Sequence, residues 1–117
     1  MGNGGTRIME PEVSAQAVAD FDPEIFVKTT IANFENQTGA MVTRSAESLI
    51  VDPAIQHRDR IMEEVHAHNV TEDVIADAVV TLLRNAVRFA QEEGSDVVED
   101  RHVKRAMLFE CRWFPWC

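Results

Sequence analysis

Apolar residues recur along the chain at helical spacing, and four strings of them predict most of the fold. The first follows Asp22-Pro23-Glu24, an acid, a proline and a second acid that together read as a helix start. Val27, Ile31 and Phe34 then share one face of a helix from Pro23 to about Gln37, and Gly39 is placed to end it. Met41, Val42, Ser45, Ala46 and Leu49 keep the same spacing up to Val51, which predicts a second helix. The Asp52-Pro53 pair repeats the start signal and opens a third helix to about His68. Its inner stripe is expected at Ile55, Met62 and Val65 with Ile61 beside them, and Gln56, Asp59, Glu63 and His66 should lie outside.

The clearest pattern comes next. Thr71, followed by Glu72 and Asp73, caps a long helix in which Ile75, Val79, Leu82, Leu83, Ala86 and Ala90 form one stripe. Asp77, Thr81, Arg84, Arg88 and Glu92 fill the opposite face. Gly94 closes it, Val97-Val98 makes a brief extended turn, and Glu99-Asp100 opens a last helix to about Glu110. Val103, Ala106, Met107 and either Leu108 or Phe109 are expected to face inward there. The fold class that follows is all-α, a small domain of about five short helices joined by loops of a few residues. Residues 1–20 show no period and read as a flexible N-terminal arm, 21–110 as a single helical domain, and 111–117 as a tail rich in cysteine and aromatic residues.

Within this pattern RIMEEVHAHNVTED, AVRFAQEEG and VVEDRHVKRAML, spanning residues 60–108, resemble the histone fold as archaeal histones show it. The matching positions are Arg60, Ile61, Val70 to Asp73, Ala86, Val87, Ala90, Gly94, Val98, Val103 and Ala106. The resemblance implies helix-loop-helix-loop-helix in the C-terminal half, and, where the pattern is complete, a head-to-tail dimer that packages DNA. Here the central helix is shorter than the family's, Ser95-Asp96 stands where the family offers basic residues, and His102 stands where it offers an acid. DNA packaging is therefore disfavoured. Residues 89–106 are equally similar to the small helical C-terminal domain found in light-independent protochlorophyllide reductase, and to the helical lid of some AAA+ ATPases, although no Walker loop is present.

Composition narrows the function. The chain has 117 residues, 45% hydrophobic and 26% charged, enough for one modest core. No apolar run is long enough to cross a membrane, and the opening MGNGGTRIMEPE lacks the basic-then-apolar order of a secretory signal, so a cytoplasmic location is expected. A net charge of -9 opposes binding to a phosphate backbone. Helical hairpins alone would leave too little core for a rigid monomer unless the N-terminal helices pack over them, which favours self-association.

Candidate chemistry is sparse. Glu63-x-x-His66 and Glu99-x-x-His102 have the spacing of di-iron carboxylate helices. The first pair falls on a polar face, however, Glu99 reads as a helix-start acid, and no stripe carries the further inward glutamates such a site requires. No metal or cofactor is therefore expected. His57 and His102 are isolated and read, with His66 and His68, as surface or helix-end residues. GNGG at Gly2 to Gly5 follows no strand and is no phosphate loop. Both cysteines and both tryptophans crowd into FECRWFPWC at the C-terminus. Cys111 and Cys117, six apart, are the candidate redox pair. Phe109, Arg112, Trp113, Phe114 and Trp116 are the candidate interaction residues, because Trp and Arg are the usual anchors of interfaces; the alternative is that the aromatics fold back on the helical core. The expected function is a non-catalytic protein–protein interaction or accessory role, as a homo-oligomer or as part of a larger complex. Two alternatives remain: a redox or cofactor-enzyme accessory protein acting through Cys111 and Cys117, and histone-like nucleic-acid binding.

Overall fold

The computed structural model describes the backbone of residues 21–109 and the side chains of residues 21–108. The fold is all-α apart from one two-stranded ribbon. Among the described residues five helices and two strands follow in the order α1 Pro23–Thr38, β1 Met41–Val42, α2 Arg44–Gln56, α3 Arg58–His66, α4 Glu72–Glu92, β2 Val97–Val98 and α5 Asp100–Phe109.

Each boundary has a local cause. The Asp22 carboxylate accepts from the Glu24 N–H at 2.9 Å, and Pro23 opens α1 where a missing donor costs nothing. Gly39 ends that helix in the left-handed region at φ 76°, donating its N–H to the Glu35 carbonyl. Thr43 caps α2 through the Ala46 N–H and Thr71 caps α4 through the Val74 N–H, both at 3.2 Å. Gly94, at φ 77°, turns the chain out of α4.

One plan occurs twice. In α1-β1-α2 and again in α4-β2-α5, a helix carrying a buried phenylalanine is followed five residues later by a left-handed glycine, then a two-residue strand, then a capped helix. The phenylalanines are Phe34 and Phe89 and the glycines Gly39 and Gly94. The two strands pair in parallel, Met41 with Val97 and Val42 with Val98, and Thr43 extends the pairing by donating to the Val98 carbonyl at 3.0 Å. Like elements also pack on like, α1 against α4 and α2 against α5. The core is one continuous cluster to which every helix contributes: Val27, Ile31 and Phe34 from α1, Ala46, Ile50 and Ala54 from α2, Ile61 and Val65 from α3, the long stripe of α4, and Val103 and Ala106 from α5. Helices α1 and α2 thus supply the cover that the C-terminal hairpins need, and core closure gives no reason for self-association.

Three expectations are corrected. Met41 and Val42 form a strand instead of the first turn of α2, because Gly39 redirects the chain and β2 offers a partner. Pro53 lies inside α2 and opens nothing: Val51 and Ala54 on either side of it are buried, so packing carries the helix on to Gln56, and the break falls at His57. Because α2 begins at Arg44, its inner phase is Ala46, Ile50 and Ala54, which turns Ile55 outward to 43% exposure. On α5, of the two alternatives for the end of the inner face, Leu108 points to solvent, and the Phe109 side chain lies outside the described residues.

Candidate functional site

The densest polar arrangement joins the end of α4 to the start of α5, around β2. Glu99 precedes the first residue of α5, so His102 occupies the third helical position, where a glutamate or glutamine ordinarily reaches back to close a capping box. Here the imidazole does so: the Glu99 N–H donates to His102 Nδ1 at 2.9 Å. Since that N–H can only donate, the neutral ring carries its proton on Nε2, which points at Glu93 Oε1, also at 2.9 Å. His102 is 1% exposed and is the one buried polar or charged residue among those described. His102 thus stands at a helix end, as expected, but it is buried and partnered instead of isolated or on the surface. Burial is tolerated because both ring nitrogens are used.

Glu93 gathers this cluster at its solvent side. Arg101 donates to its Oε1 from Nε at 3.1 Å and from Nη2 at 2.8 Å, and holds Glu99 through Nη1 at 2.9 Å. The Arg101 hydrogen bonds, then that of His102, hold the Glu93 carboxyl at about 2, well below its ordinary 4.5. The same pairing raises the Arg101 guanidinium. The arrangement is a clasp: the end of α4 and the first turn of α5 are tied together on either side of β2. A second tie, Ser45 Oγ donating to Asp100 Oδ1 at 2.6 Å, joins the first turns of α2 and α5 across the strand pair. All these groups are spent on one another, and their chemistry is structural.

The backbone N–H groups beside the ribbon are also engaged. Val42 donates to Glu35 Oε2 at 2.9 Å, Val97 to Ser95 Oγ at 3.1 Å, and Glu99 to His102. A cleft of about 430 Å³ lies alongside, between Gly39–Met41 and the end of α4, with Met41, 62% exposed, contributing to its wall.

Further along α5 the surface changes character. The Arg105 guanidinium lies 4.1 Å from the centre of the Phe89 ring and Arg88 lies 5.5 Å from it, so two cations from two helices cover one buried aromatic. Arg105 also approaches Glu92 at 3.8 Å. One turn on, Leu108 is 88% exposed, the most exposed large apolar side chain among the described residues.

Of the residues singled out in the sequence, Glu63 and His66 are exposed on the polar face of α3, as expected. Glu99 and His102 do come together, through the backbone N–H of one and the ring of the other, with no group of three or more metal-binding side chains among the described residues. Cys111, Arg112, Trp113, Phe114, Trp116 and Cys117 lie outside the described residues, as does the Phe109 side chain. No described helix is long and apolar enough to cross a membrane. The clasp was not anticipated from sequence, although Glu99-x-x-His102 has capping-box spacing. No protein-family model, curated protein or solved structure matches the chain.

Proposed function

We propose that this protein is a non-catalytic accessory protein of the cytoplasm that binds another protein, or a second copy of itself, through the end of α5 and the residues that follow. One observation carries the reading. Leu108, 88% exposed, is followed directly by the segment holding Phe109, Arg112, Trp113, Phe114 and Trp116. Tryptophan and arginine, which that segment brings together in sequence, are the residue types that most often anchor interfaces. Covering a leucine of this exposure is favourable by about 1.5–3 kcal/mol. The helical body is closed on its own core, and α5 leads directly in sequence into that stretch.

The test is capture of partners from the native source by the full chain, by a chain truncated after Glu110, and by a Cys111→Ser, Cys117→Ser chain. Partners lost on truncation and kept by the double serine variant support the reading. Partners kept after truncation overturn it. Partners lost with the serines alone move the function to thiol chemistry.

A further inference from the structure

We infer that this chain exchanges halves with a second copy of itself: residues 23–66 of one copy close on residues 72–109 of the other, through the contacts that otherwise close the single chain. The exchange makes no use of residues 110–117 and stands apart from the reading above. The repeated plan supplies the interface. The α1-β1-α2 half, with α3 packed on α1 and α2, meets the α4-β2-α5 half along three lines: α1 on α4, β1 beside β2, and α2 on α5. Thr43 N–H to the Val98 carbonyl and Ser45 Oγ to Asp100 Oδ1 are bonds across this boundary. The ties that shape each half stay inside it, Val42 with Glu35 in the first and Glu93 with Arg101 and His102 in the second. An exchanged pair therefore buries the same apolar faces and forms the same bonds twice over. Opening without a partner exposes one continuous core, so each half closes either on its own chain or on a second copy.

The joint between the halves favours exchange. Residues 67–71 link α3 to α4. The His68 N–H donates to the Val65 carbonyl at 3.1 Å and the Asn69 N–H to the Glu64 carbonyl at 2.9 Å, the two bonds that turn a chain back at a helix end around a left-handed residue. After α1 and α4 that conformation falls to Gly39 and Gly94. Here it falls to His68, at φ 63°, the one non-glycine residue with a positive φ among those described. A side chain in this region crowds the following carbonyl oxygen. The closed chain holds that strain, and a copy whose joint opens to reach a partner sheds it. A short joint under strain between complementary halves invites exchange. Strain relief is the main gain over the closed chain and association costs entropy, so the single chain predominates when dilute and the pair grows with concentration.

Two full-length chains test this, both with Cys111→Ser and Cys117→Ser, one carrying Ser45→Cys and the other Asp100→Cys. They are mixed in urea, refolded together at concentrations from micromolar to millimolar, and oxidised. Chance collision of exposed thiols links like chains as readily as unlike ones, whereas exchange brings position 45 of one copy to position 100 of the other. The expected result is an excess of the mixed disulfide, read by mass without reduction, that grows with refolding concentration. His68→Gly removes the strain on the order of fivefold at each joint, and, because two joints open, lowers the dimer constant on the order of twentyfold or more. His68→Val raises it, since a β-branched residue is the least suited to a positive φ. A side-by-side pair of closed chains would not respond to either change. His68 is exposed, so both substitutions leave the core untouched. Mixed and like disulfides in random proportion at every concentration, an excess unmoved by both substitutions, or an excess raised by glycine overturns the inference.

Discussion

Replacing His102 tests the clasp most directly, because three substitutions separate its contributions. The ring supplies an acceptor for the Glu99 N–H at 2.9 Å, fills a space that leaves it 1% exposed, and touches Glu93. Losing a side-chain acceptor at a helix start costs about 1 kcal/mol. Emptying the ring's volume adds about 1–2 kcal/mol. The contact with Glu93 ends on a solvated carboxylate and is left out of the sum. His102→Ala should therefore destabilise by about 2–3 kcal/mol, which for a domain of this size lowers the melting temperature by roughly 10–20 °C. His102→Leu retains most of the volume and loses the cap, so it should cost about 1 kcal/mol. Glutamine is an ordinary residue at this position of a capping box, and His102→Gln should be the mildest of the three. Urea unfolding followed by far-ultraviolet circular dichroism measures all three, since both tryptophans lie beyond Phe109 and their fluorescence is no direct gauge of the helical body. An alanine variant within about 0.5 kcal/mol of the parent, or a leucine variant milder than glutamine, would refute the assignment.

Two further predictions concern the same half of the molecule and its counterpart. The Glu93 carboxyl titrates at about 2 in the folded chain against an ordinary 4.5. Its contribution to stability is thus fully present above 4.5 and is lost as the pH falls toward about 2; thermal melts across that window should fall less steeply for Glu93→Gln than for the parent. At Gly39 and Gly94 an added Cβ would meet no atom within 4 Å. Alanine at either position should accordingly cost only the backbone penalty, about 1 kcal/mol by chemical denaturation, with asparagine cheaper than alanine. A cost near zero at both would show that the positive φ is not required.

Much of the helical content was legible because burial and periodicity coincide. The stripe from Ile75 to Ala90 is buried along its whole length, and Thr71, Gly39 and Gly94 act where their side-chain chemistry or freedom from a Cβ places them. The first strand was not legible from local pattern, since Met41 and Val42 also fit a helical phase and only pairing with Val97 and Val98, far along the chain, decides between the two. The repeated interval from Phe34 to Gly39 and from Phe89 to Gly94 was the signal that could have found it. Pro53 misled because tertiary packing on Val51 and Ala54 outweighs one missing hydrogen bond. The burial of His102 was hidden because it depends on two partners at once, a backbone N–H three residues back and a carboxylate nine back, and single-residue propensity carries neither. The candidate residues from Phe109 onward were selected on residue type alone, and their surroundings are not described.

The ribbon has one more consequence. A pair of two-residue strands with bare borders would be a seed for cross-chain strand growth. Glu35, Ser95 and His102 occupy the N–H groups of Val42, Val97 and Glu99, and these are the donors an incoming strand would need. Amyloid-like templating through these donors is closed off at those positions.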